Sequence, residues 1–403
     1  METTKFQKQV KFILSFGKAL HSAGAPAHTL EATMQDMSQL MGIQGTFISQ
    51  PTAILSSFTK GDEETIKIER VEPMGVNLGK LSNIDKVSRD VIRHQISYEE
   101  GYEKLEKILN APEPFGKLIY FFYFIFSAAG FMILFGGSWS DLVASMIVGS
   151  LLGLMSTIKP LGLVVQLFEA IVAVVASLAT YLLAKIFPDL NVGVIIISSL
   201  IIVLPGLFIT IAIAEIATNN LVSGTARLVG GVMILLKITF GVFIGHKMAS
   251  WFSLPSLPVS LGDIPPWLTF VTLPITAFLS VINFKANKAD WKWVTLAGVF
   301  GYICAKIGSL YLGPELGMFF GGTCVGAMSN IFARLQDRPS SVFQWPGIIL
   351  LVPGSFGYRG MTSLFERDVV GGLDTAFTMI TLALSLVVGV FFGNIIVKPR
   401  RSL

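Results

Sequence analysis

Ionisable side chains stand inside stretches of the sequence that are otherwise almost wholly apolar. Glu169 and Lys237 lie in such stretches, and Glu215 and Arg227 stand close to the ends of such stretches. A charge is costly inside a membrane, so residues of this kind commonly serve ion or substrate pathways. A carboxylate in a partly dry cavity can bind and release a proton near neutral pH. We therefore predict that Glu215 or Glu169 is a proton-coupling carboxylate.

Polar neighbours accompany these charges. Asn219 and Asn220 follow Glu215 closely, so this part of the chain is expected to face a polar pathway. Lys237 lies too deep in its apolar stretch for its amine to reach the membrane surface easily. It is therefore expected to have a carboxylate partner or a water-filled cavity beside it. Asn219, Asn220, Arg227 and Lys237 are the predicted charge partners or pathway residues.

Two Pro-Gly pairs interrupt apolar stretches at matching places, 148 residues apart. They are Pro205-Gly206 and Pro353-Gly354. Proline removes a helix hydrogen bond and glycine adds backbone freedom, so each pair predicts an interrupted helix. At membrane depth the freed backbone groups need a covering of protein or a watery cavity, so paired broken helices indicate a substrate site. A simple packing kink is the alternative interpretation.

A broken helix offers free N–H groups at one end and free carbonyl groups at the other. An amino-acid zwitterion needs donors for its carboxylate and acceptors for its ammonium group, so both breaks are predicted to bind such a substrate. Thr210 and Tyr358 occupy the same position of the two repeats and are predicted to add hydroxyl contacts. The alternative is that these hydroxyl groups only satisfy the freed backbone.

Apolar segments long enough to cross a membrane dominate the chain beyond residue 114. Hydrophobic residues make up 52% of the 403 residues and charged residues only 14%, whereas soluble domains carry about 25% charged residues. A helix of about 20 residues crosses the hydrocarbon of a bilayer. The predicted segments are 118–135, 142–158, 161–186, 192–214, 228–250, 267–283, 293–312, 315–333, 342–360 and 373–397. The predicted fold class is an all-α polytopic membrane protein with about ten transmembrane helices.

The membrane part divides into two halves that resemble each other weakly. At the offset of 148 residues, Ile202 to Gly206 resembles Leu350 to Gly354. Each half, predicted as residues 115–252 and 264–403, contains five segments. An odd number of spans returns the chain from the opposite side of the membrane, so the two five-helix repeats are predicted to be inverted.

Residues 1–114 are predicted to form a small soluble α+β domain. Amphipathic periodicity predicts two helices, which begin near Phe6 and Pro26. Three short strands with turn signals follow, at 45–50, 53–58 and 64–70. Two more helices close the domain, and the second of them begins with a capping box from Ser97 to Glu100.

Basic residues in the predicted loops favour one orientation. If the N-terminal domain is cytoplasmic, the inside loops hold more lysine and arginine than the outside loops, as the positive-inside rule requires. The inside residues would be Lys159, Arg227, Lys285, Lys288, Lys292, Arg334, Arg338, Lys398, Arg400 and Arg401, and the outside residues Lys185, Lys247, Arg359 and Arg367. We predict a multi-pass protein of the plasma (inner) membrane with both termini in the cytoplasm.

Several function classes are excluded by what the sequence lacks. It contains no Walker A loop, no HExxH and no Gly-x-Ser-x-Gly. Cys304 and Cys324 lie in apolar segments without zinc-type spacing. The net charge of +4 follows from basic residues at helix ends and requires no nucleic-acid partner. We predict a protein that is not an enzyme and holds no cofactor or metal.

A series of motifs runs along nearly the whole chain. The first is Gly24 to Glu31 (GAPAHTLE), followed by 135–141 (FGGSWSD), 215–227 (EIATNNLVSGTAR) and 329–334 (SNIFAR). In this order they resemble the threonine/serine exporter family, especially its fungal branch of pheromone-regulated membrane proteins. Gly24, His28 and Glu31 match the N-terminal motif. Thr29 departs from the family pattern, because many relatives have arginine there.

The resemblance implies proton-coupled export of threonine and serine. The first hypothesis is therefore a secondary transporter for small neutral amino acids, with the lipid bilayer, the amino acid and protons as its partners. The second is a membrane sensor or scaffold whose N-terminal domain carries the output. Homo-oligomer formation stays open on the sequence alone.

Overall fold

The chain begins with an α+β domain that matches the predicted order of elements. The computed structural model describes residues 5–72, 75–158, 163–257 and 260–399; Lys159, Arg400 and Arg401 of the orientation argument lie outside them. The elements of this domain are α1 Lys5–Ser22, α2 Ala27–Leu40, β1 Gln44–Gln50, β2 Ala53–Lys60, β3 Glu63–Arg70, α3 Leu78–Ile92 and α4 Tyr98–Leu109.

An antiparallel sheet in the order β1-β2-β3 packs one face against the helices of this domain. Phe12 and Phe16 of α1 and Phe58 of β2 are fully buried and form the centre of the core. Alternate residues of β2 point into this core, as expected for a sheet with one covered face. The predicted capping box of Ser97 and Glu100 is present at the start of α4.

The rest of the described chain is helical. Its elements are α5 Lys117–Leu134, α6 Trp139–Ser156, α7 Leu163–Gln166, α8 Phe168–Ile186, α9 Val192–Leu200, α10 Gly206–Ala217, α11 Leu221–Ala249, α12 Leu268–Asn283, α13 Trp291–Leu312, α14 Pro314–Gln336, α15 Ser341–Ile349, α16 Gly354–Phe365 and α17 Val369–Ile396. A 3₁₀ turn at Lys288–Asp290 precedes α13.

Seven helices of the described residues are long and apolar enough to cross a membrane. They are α5, α6, α8, α11, α13 with its preceding turn, α14 and α17. The other three predicted segments are built differently. Two of them are broken, into α9 and α10 and into α15 and α16, and the third is the 16-residue helix α12 with Pro274 inside it. Both predicted interruptions are therefore present, whereas uninterrupted helices account for fewer than ten segments.

The boundaries of the elements repeat along the chain. Helices α10 and α16 each have 12 residues and begin at the glycine of a Pro-Gly pair. The turn after each helix contains a residue in the left-handed region, Asn219 with φ of 64° and Arg367 with φ of 68°. These two positions, like the two Pro-Gly pairs, are 148 residues apart. The similarity seen in short sequence matches thus extends to backbone conformation.

The α+β domain rests on one face of the helical part. The backbone N–H of Leu78 donates to the Phe284 carbonyl at 2.8 Å, and Arg89 is paired with Asp337 at 3.3 Å. A methyl group at Gly79 would lie 2.5 Å from the carbonyl oxygen of Lys285, so glycine permits this close approach. These contacts reach the loops before α13 and before α15, on the face from which α2 also contacts the end of α10.

Candidate functional site

The two broken helices meet at their breaks. Pro205 and Pro353 precede α10 and α16 with nearly the same backbone angles, φ of −81° with ψ of 29° and 37°. A methyl group on Gly206 would lie 2.9 Å from the Cα atom of Gly354. Such an approach is open only to glycine, because any side chain would enter the other backbone. Four of the predicted substrate-binding residues, Pro205, Gly206, Pro353 and Gly354, are therefore brought together in one place.

A cavity of about 280 Å³ is lined by parts of both broken segments, but none of the four break residues is among the residues that line it. Its walls come from α10, α14, α15 and α17, and from the start of α2 in the α+β domain. Many of its polar groups are neutral side chains, among them Thr29, Thr210, Asn330, Ser341, Gln344 and Asn394. Apolar residues such as Ile348 and Val390 fill the remaining wall. Ligand pockets commonly combine an apolar wall with a few polar groups, and drug-sized ligands occupy about 300–1,000 Å³, so this volume suits a small molecule.

Thr210 and Tyr358 are separated by the structure. Thr210 lines the cavity, and its hydroxyl group donates to the Gly206 carbonyl at 3.0 Å. Tyr358 is buried in an apolar cluster with residues such as Leu279 and Ile238, away from the residues that line the cavity. The paired hydroxyl contacts predicted for the two repeats thus reduce to one residue at the cavity.

Glu215 is the most completely buried acidic side chain of the site. Its side chain is 0% exposed and that of Arg227 is 9% exposed. Arg227 Nε donates to Oε2 at 3.0 Å, and Arg227 Nη2 donates to Oε1 at 3.1 Å. The hydroxyl group of Ser223 donates to Oε2 at 3.0 Å, and the backbone N–H of Ala27 donates to Oε1 at 3.0 Å. Two-point pairing with arginine and two further donors make this carboxylate fully hydrogen-bonded.

The contact with Ala27 joins the two parts of the protein. Ala27 is the first residue of α2, so the Glu215 carboxylate lies at a helix N-terminus, where free N–H groups favour a negative charge. Asn220 adds a second link, because its side-chain amide donates to Glu31 Oε2 at 3.1 Å. The other oxygen of Glu31 accepts from the backbone N–H of Ser49 at 2.7 Å. Asn219 is not part of this link, because it is exposed and forms the left-handed position of the turn after α10.

Glu169 and Lys237 form a second, looser pair. Lys237 Nζ lies 3.5 Å from Glu169 Oε2 and donates to the Gln166 carbonyl at 2.7 Å. The two side chains are 30% and 26% exposed, and neither lines the cavity. Lys237 therefore has the carboxylate partner that its depth in the sequence predicted. The pair lies apart from the Glu215 centre.

The N-terminal motif forms the turn into α2 and one wall of the cavity. Gly24 adopts φ of 79°, and a methyl group there would lie 2.7 Å from the Gly75 carbonyl oxygen. His28 and Thr29 line the cavity. His28 Nδ1 is enclosed and has no hydrogen-bond partner among the described residues. Burial lowers the pKa of His28 below its ordinary value, and the Glu215 carboxylate offsets part of this change.

Two asparagines of the cavity wall were not among the predicted site residues. Asn330 Nδ2 donates to Asn394 Oδ1 at 2.8 Å and to the Val397 carbonyl at 2.7 Å. Both amides stand in long apolar helices, where polar side chains hydrogen-bond between helices, and this was the signal available in the sequence. Gln344 and Ser341 at the start of α15 carried no such signal. Within the described residues no cluster of side chains is suited to hold a metal ion.

Proteins of several fungi resemble this chain. Pheromone-regulated membrane protein 10 of Candida glabrata is 26% identical over 418 residues, which cover 96% of this chain and 53% of the relative. The protein of the same name in Kluyveromyces lactis is 24% identical over 416 residues, covering 96% of this chain and 44% of the relative. An uncharacterized protein of Schizosaccharomyces pombe is 22% identical over 441 residues, covering 99% and 52%. The chain thus spans about half the length of these relatives.

Family profiles match both halves of the chain. A profile of threonine/serine exporters matches residues 11–249, and a second, described as "Threonine/Serine exporter, ThrE", matches residues 269–396. No solved structure matches the chain. The resemblance noted in the sequence motifs is confirmed: the chain is a multi-pass membrane protein that belongs to the threonine/serine exporter family.

Proposed function

We propose that the protein is a secondary transporter that exports small neutral amino acids, threonine and serine, and is driven by proton influx. The observation that carries this proposal is the cavity beside the two broken helices. Its neutral polar side chains suit a ligand with no net charge, and its volume suits a small one. Binding of the charged ends of the zwitterion by backbone groups at the breaks is part of the proposal, although the break residues do not line the cavity. Membership of an exporter family points to the same substrates.

The proposal includes ten membrane-crossing segments arranged as two inverted repeats of five. It is supported by matching pairs of contacts between the halves, since α10 packs against α17 and α11 packs against α16. A two-fold axis between the meeting breaks would exchange these two pairs. The α+β domain contacts the loops predicted to lie inside, which supports a common side of the membrane for the domain and these loops. We propose that this side is the cytoplasm and that the membrane is the plasma membrane. Inverted repeats with substrate sites between broken helices are a known transporter design.

Transport from loaded vesicles tests the proposal. Purified protein is placed in vesicles that contain labelled threonine, and the outside is acidified. We expect the gradient to accelerate threonine efflux, and we expect an uncoupler that collapses the gradient to abolish the acceleration. Efflux equal to that of protein-free vesicles, in protein that remains folded, would overturn the proposal and favour the sensor or scaffold hypothesis.

Glu215 is proposed as the proton-coupling carboxylate of the membrane part, in preference to Glu169. It lies beside the cavity wall and is linked to the α+β domain, whereas Glu169 is partly exposed and paired elsewhere. Glu215→Gln keeps the shape of the side chain but cannot titrate, so it should reduce acceleration by the pH gradient about 100-fold. Glu169→Gln is the matched control and should retain it. Unchanged acceleration in Glu215→Gln contradicts the assignment, and loss in Glu169→Gln alone transfers the role to that residue.

Thr210 is proposed to form a hydrogen bond with the hydroxyl group of the substrate. Thr210→Val removes the hydroxyl at nearly constant shape, and one lost hydrogen bond should weaken threonine and serine transport about tenfold. Alanine transport should change less. Thr239→Val is the matched control, because Thr239 is also buried and bonded to the carbonyl four residues earlier but does not line the cavity. An equal loss for all three amino acids would assign Thr210 a structural role.

A further inference from the structure

The wall of the cavity contains one ionisable side chain among the described residues, and the soluble domain supplies it. Helices α10, α14, α15 and α17 contribute only neutral side chains to this wall. The exception is His28, the second residue of α2. A cavity that handles a substrate of no net charge needs no permanent charge, but a proton-driven transporter needs a group that titrates near neutral pH. Histidine is the side chain whose ordinary range lies there.

His28 follows the residue that binds the buried carboxylate, and it interacts electrostatically with that carboxylate. The backbone N–H of Ala27, its neighbour in the chain, donates to Glu215 Oε1 at 3.0 Å. The ionisable side chains around this point include Glu215 of α10, Arg227 of α11, Glu31 of α2 and His21 of α1. Glu31 is engaged by Ser49 and Asn220. Glu215 thus has the hydrogen bond of α2 on one side and the arginine on the other.

We propose that His28 is the residue that takes the coupling proton from Glu215 and releases it on the side of the soluble domain. The inference rests on the proposed function. In the transfer, the O–H bond of the protonated Glu215 carboxyl group breaks and an N–H bond forms on the imidazole of His28, directly or through one water molecule. Glu215 becomes a carboxylate paired with Arg227, and His28 becomes an imidazolium that later gives its proton to water. A proton crosses, and no oxidant or other reactant is needed.

Enclosure of the imidazole ring explains how His28 releases the proton. His28 Nδ1 has no hydrogen-bond partner among the described residues, so a second proton on the ring would be poorly solvated there. Burial lowers the pKa of His28, and the Glu215 charge opposes this only in part. Because the pKa of His28 is lower in the closed state, that state binds fewer protons than an open, hydrated state. Closing therefore expels the proton, and acid favours opening. In the proposed orientation, the proton is expelled into the cytoplasm.

In this proposal, the N-terminal domain takes part in the transport cycle through His28. The start of α2 carries the imidazole and also donates the backbone bond to Glu215. His28 takes the proton in the open, hydrated state, and closing of the cavity expels it. Loss of the bond from Ala27 to Glu215 is expected to displace His28 from the cavity wall, because the two residues are neighbours in the first turn of α2.

A histidine matched to His28 stands in the same domain. His21 is also buried, and burial lowers its pKa as well, but its Nε2 lies 3.3 Å from the Gln50 carbonyl oxygen and it does not line the cavity. His28→Gln and His21→Gln are compared in vesicles by two assays, threonine exchange without a pH gradient and threonine efflux with one. We expect the gradient to accelerate efflux normally in His21→Gln and about 100-fold less in His28→Gln, relative to the exchange rate of each variant. Normal acceleration in His28→Gln would overturn the proposal.

A titration that needs no substrate separates this inference from the proposed function. The chain has four histidines, so single substitutions assign each imidazole signal in nuclear magnetic resonance spectra of the full-length protein. We expect the signal lost in His28→Gln to titrate below the ordinary range of histidine, and its pKa to fall further in Glu215→Gln. A His28 that titrates in the ordinary range, and is unaffected by Glu215→Gln, would overturn the proposal. Wild-type vesicles that move no threonine at all would instead overturn the proposed function.

Discussion

Replacement of Arg227 by glutamine should destabilise the folded protein by about 3–5 kcal/mol, because it leaves a buried carboxylate without its cation. Glu215 is 0% exposed, so water cannot take the place of the lost guanidinium group. The free energy of unfolding in detergent micelles is the quantity to measure. The same variant would also lose a cation–π contact, in which Arg227 Cζ lies 5.1 Å from the centre of the Phe208 ring.

Two further variants separate charge pairing from lost packing. Lys237→Gln breaks the less buried pair with Glu169, whose carboxylate has fewer hydrogen-bond donors than that of Glu215, and should cost less stability than Arg227→Gln. The double variant Arg227→Gln with Glu215→Gln removes both charges, so it should recover most of the stability that the single variant loses. A double variant no more stable than Arg227→Gln would show that packing, and not the unpaired charge, explains the loss.

Gly206→Ala should damage both stability and transport, because the two breaks touch at this position. The added methyl group would lie 2.5 Å from Val352 Cγ1 and 2.9 Å from Gly354 Cα. Overpacking of this kind costs about 1–3 kcal/mol, and here it also forces the two broken helices apart. Threonine efflux and the free energy of unfolding are measured together.

Gly193→Ala is the matched control for Gly206→Ala. Gly193 lies in α9, the other half of the same broken segment, and a methyl group there would meet its nearest atom at 3.8 Å. This variant should keep its transport rate and stability or gain slightly in stability, since alanine favours a helix. If both variants transport at the wild-type rate, the contact between the breaks has no part in the transport cycle.

Local sequence signals predicted the elements but not the contacts between distant ones. Pro205 and Pro353 predicted two helix breaks, and both are present. Proline removes a backbone hydrogen bond of its own helix, so this signal is local. The turn signals likewise predicted the three strands and the capping box at Ser97. The uninterrupted long helices are fewer than the apolar segments, because hydropathy does not distinguish a continuous helix from a broken one.

The site was only partly visible in the sequence. Glu215 and Arg227 were singled out because charge is rare in apolar stretches, yet their pairing and the backbone bond from Ala27 depend on how distant segments pack. Tyr358 matched Thr210 in the repeat but is buried in the apolar core, because equal positions in two repeats need not meet the same neighbours. The place of His28 at the cavity follows from the packing of the α+β domain against the helical part, which the periodicity of the sequence does not reveal.

Protection of one residue in the cavity wall tests the central claim, that the amino acid occupies the cavity beside the broken helices. Ser341→Cys is introduced after both native cysteines, Cys304 and Cys324, are replaced by alanine, and Ser253→Cys in an exposed loop is the control. The labelling rate with a small thiol reagent is measured in vesicles with and without threonine. We expect threonine to slow labelling at residue 341, lysine to leave it unchanged, and neither to affect residue 253. Labelling of residue 341 at the same rate with and without saturating threonine, in a variant that still transports it, would contradict the account.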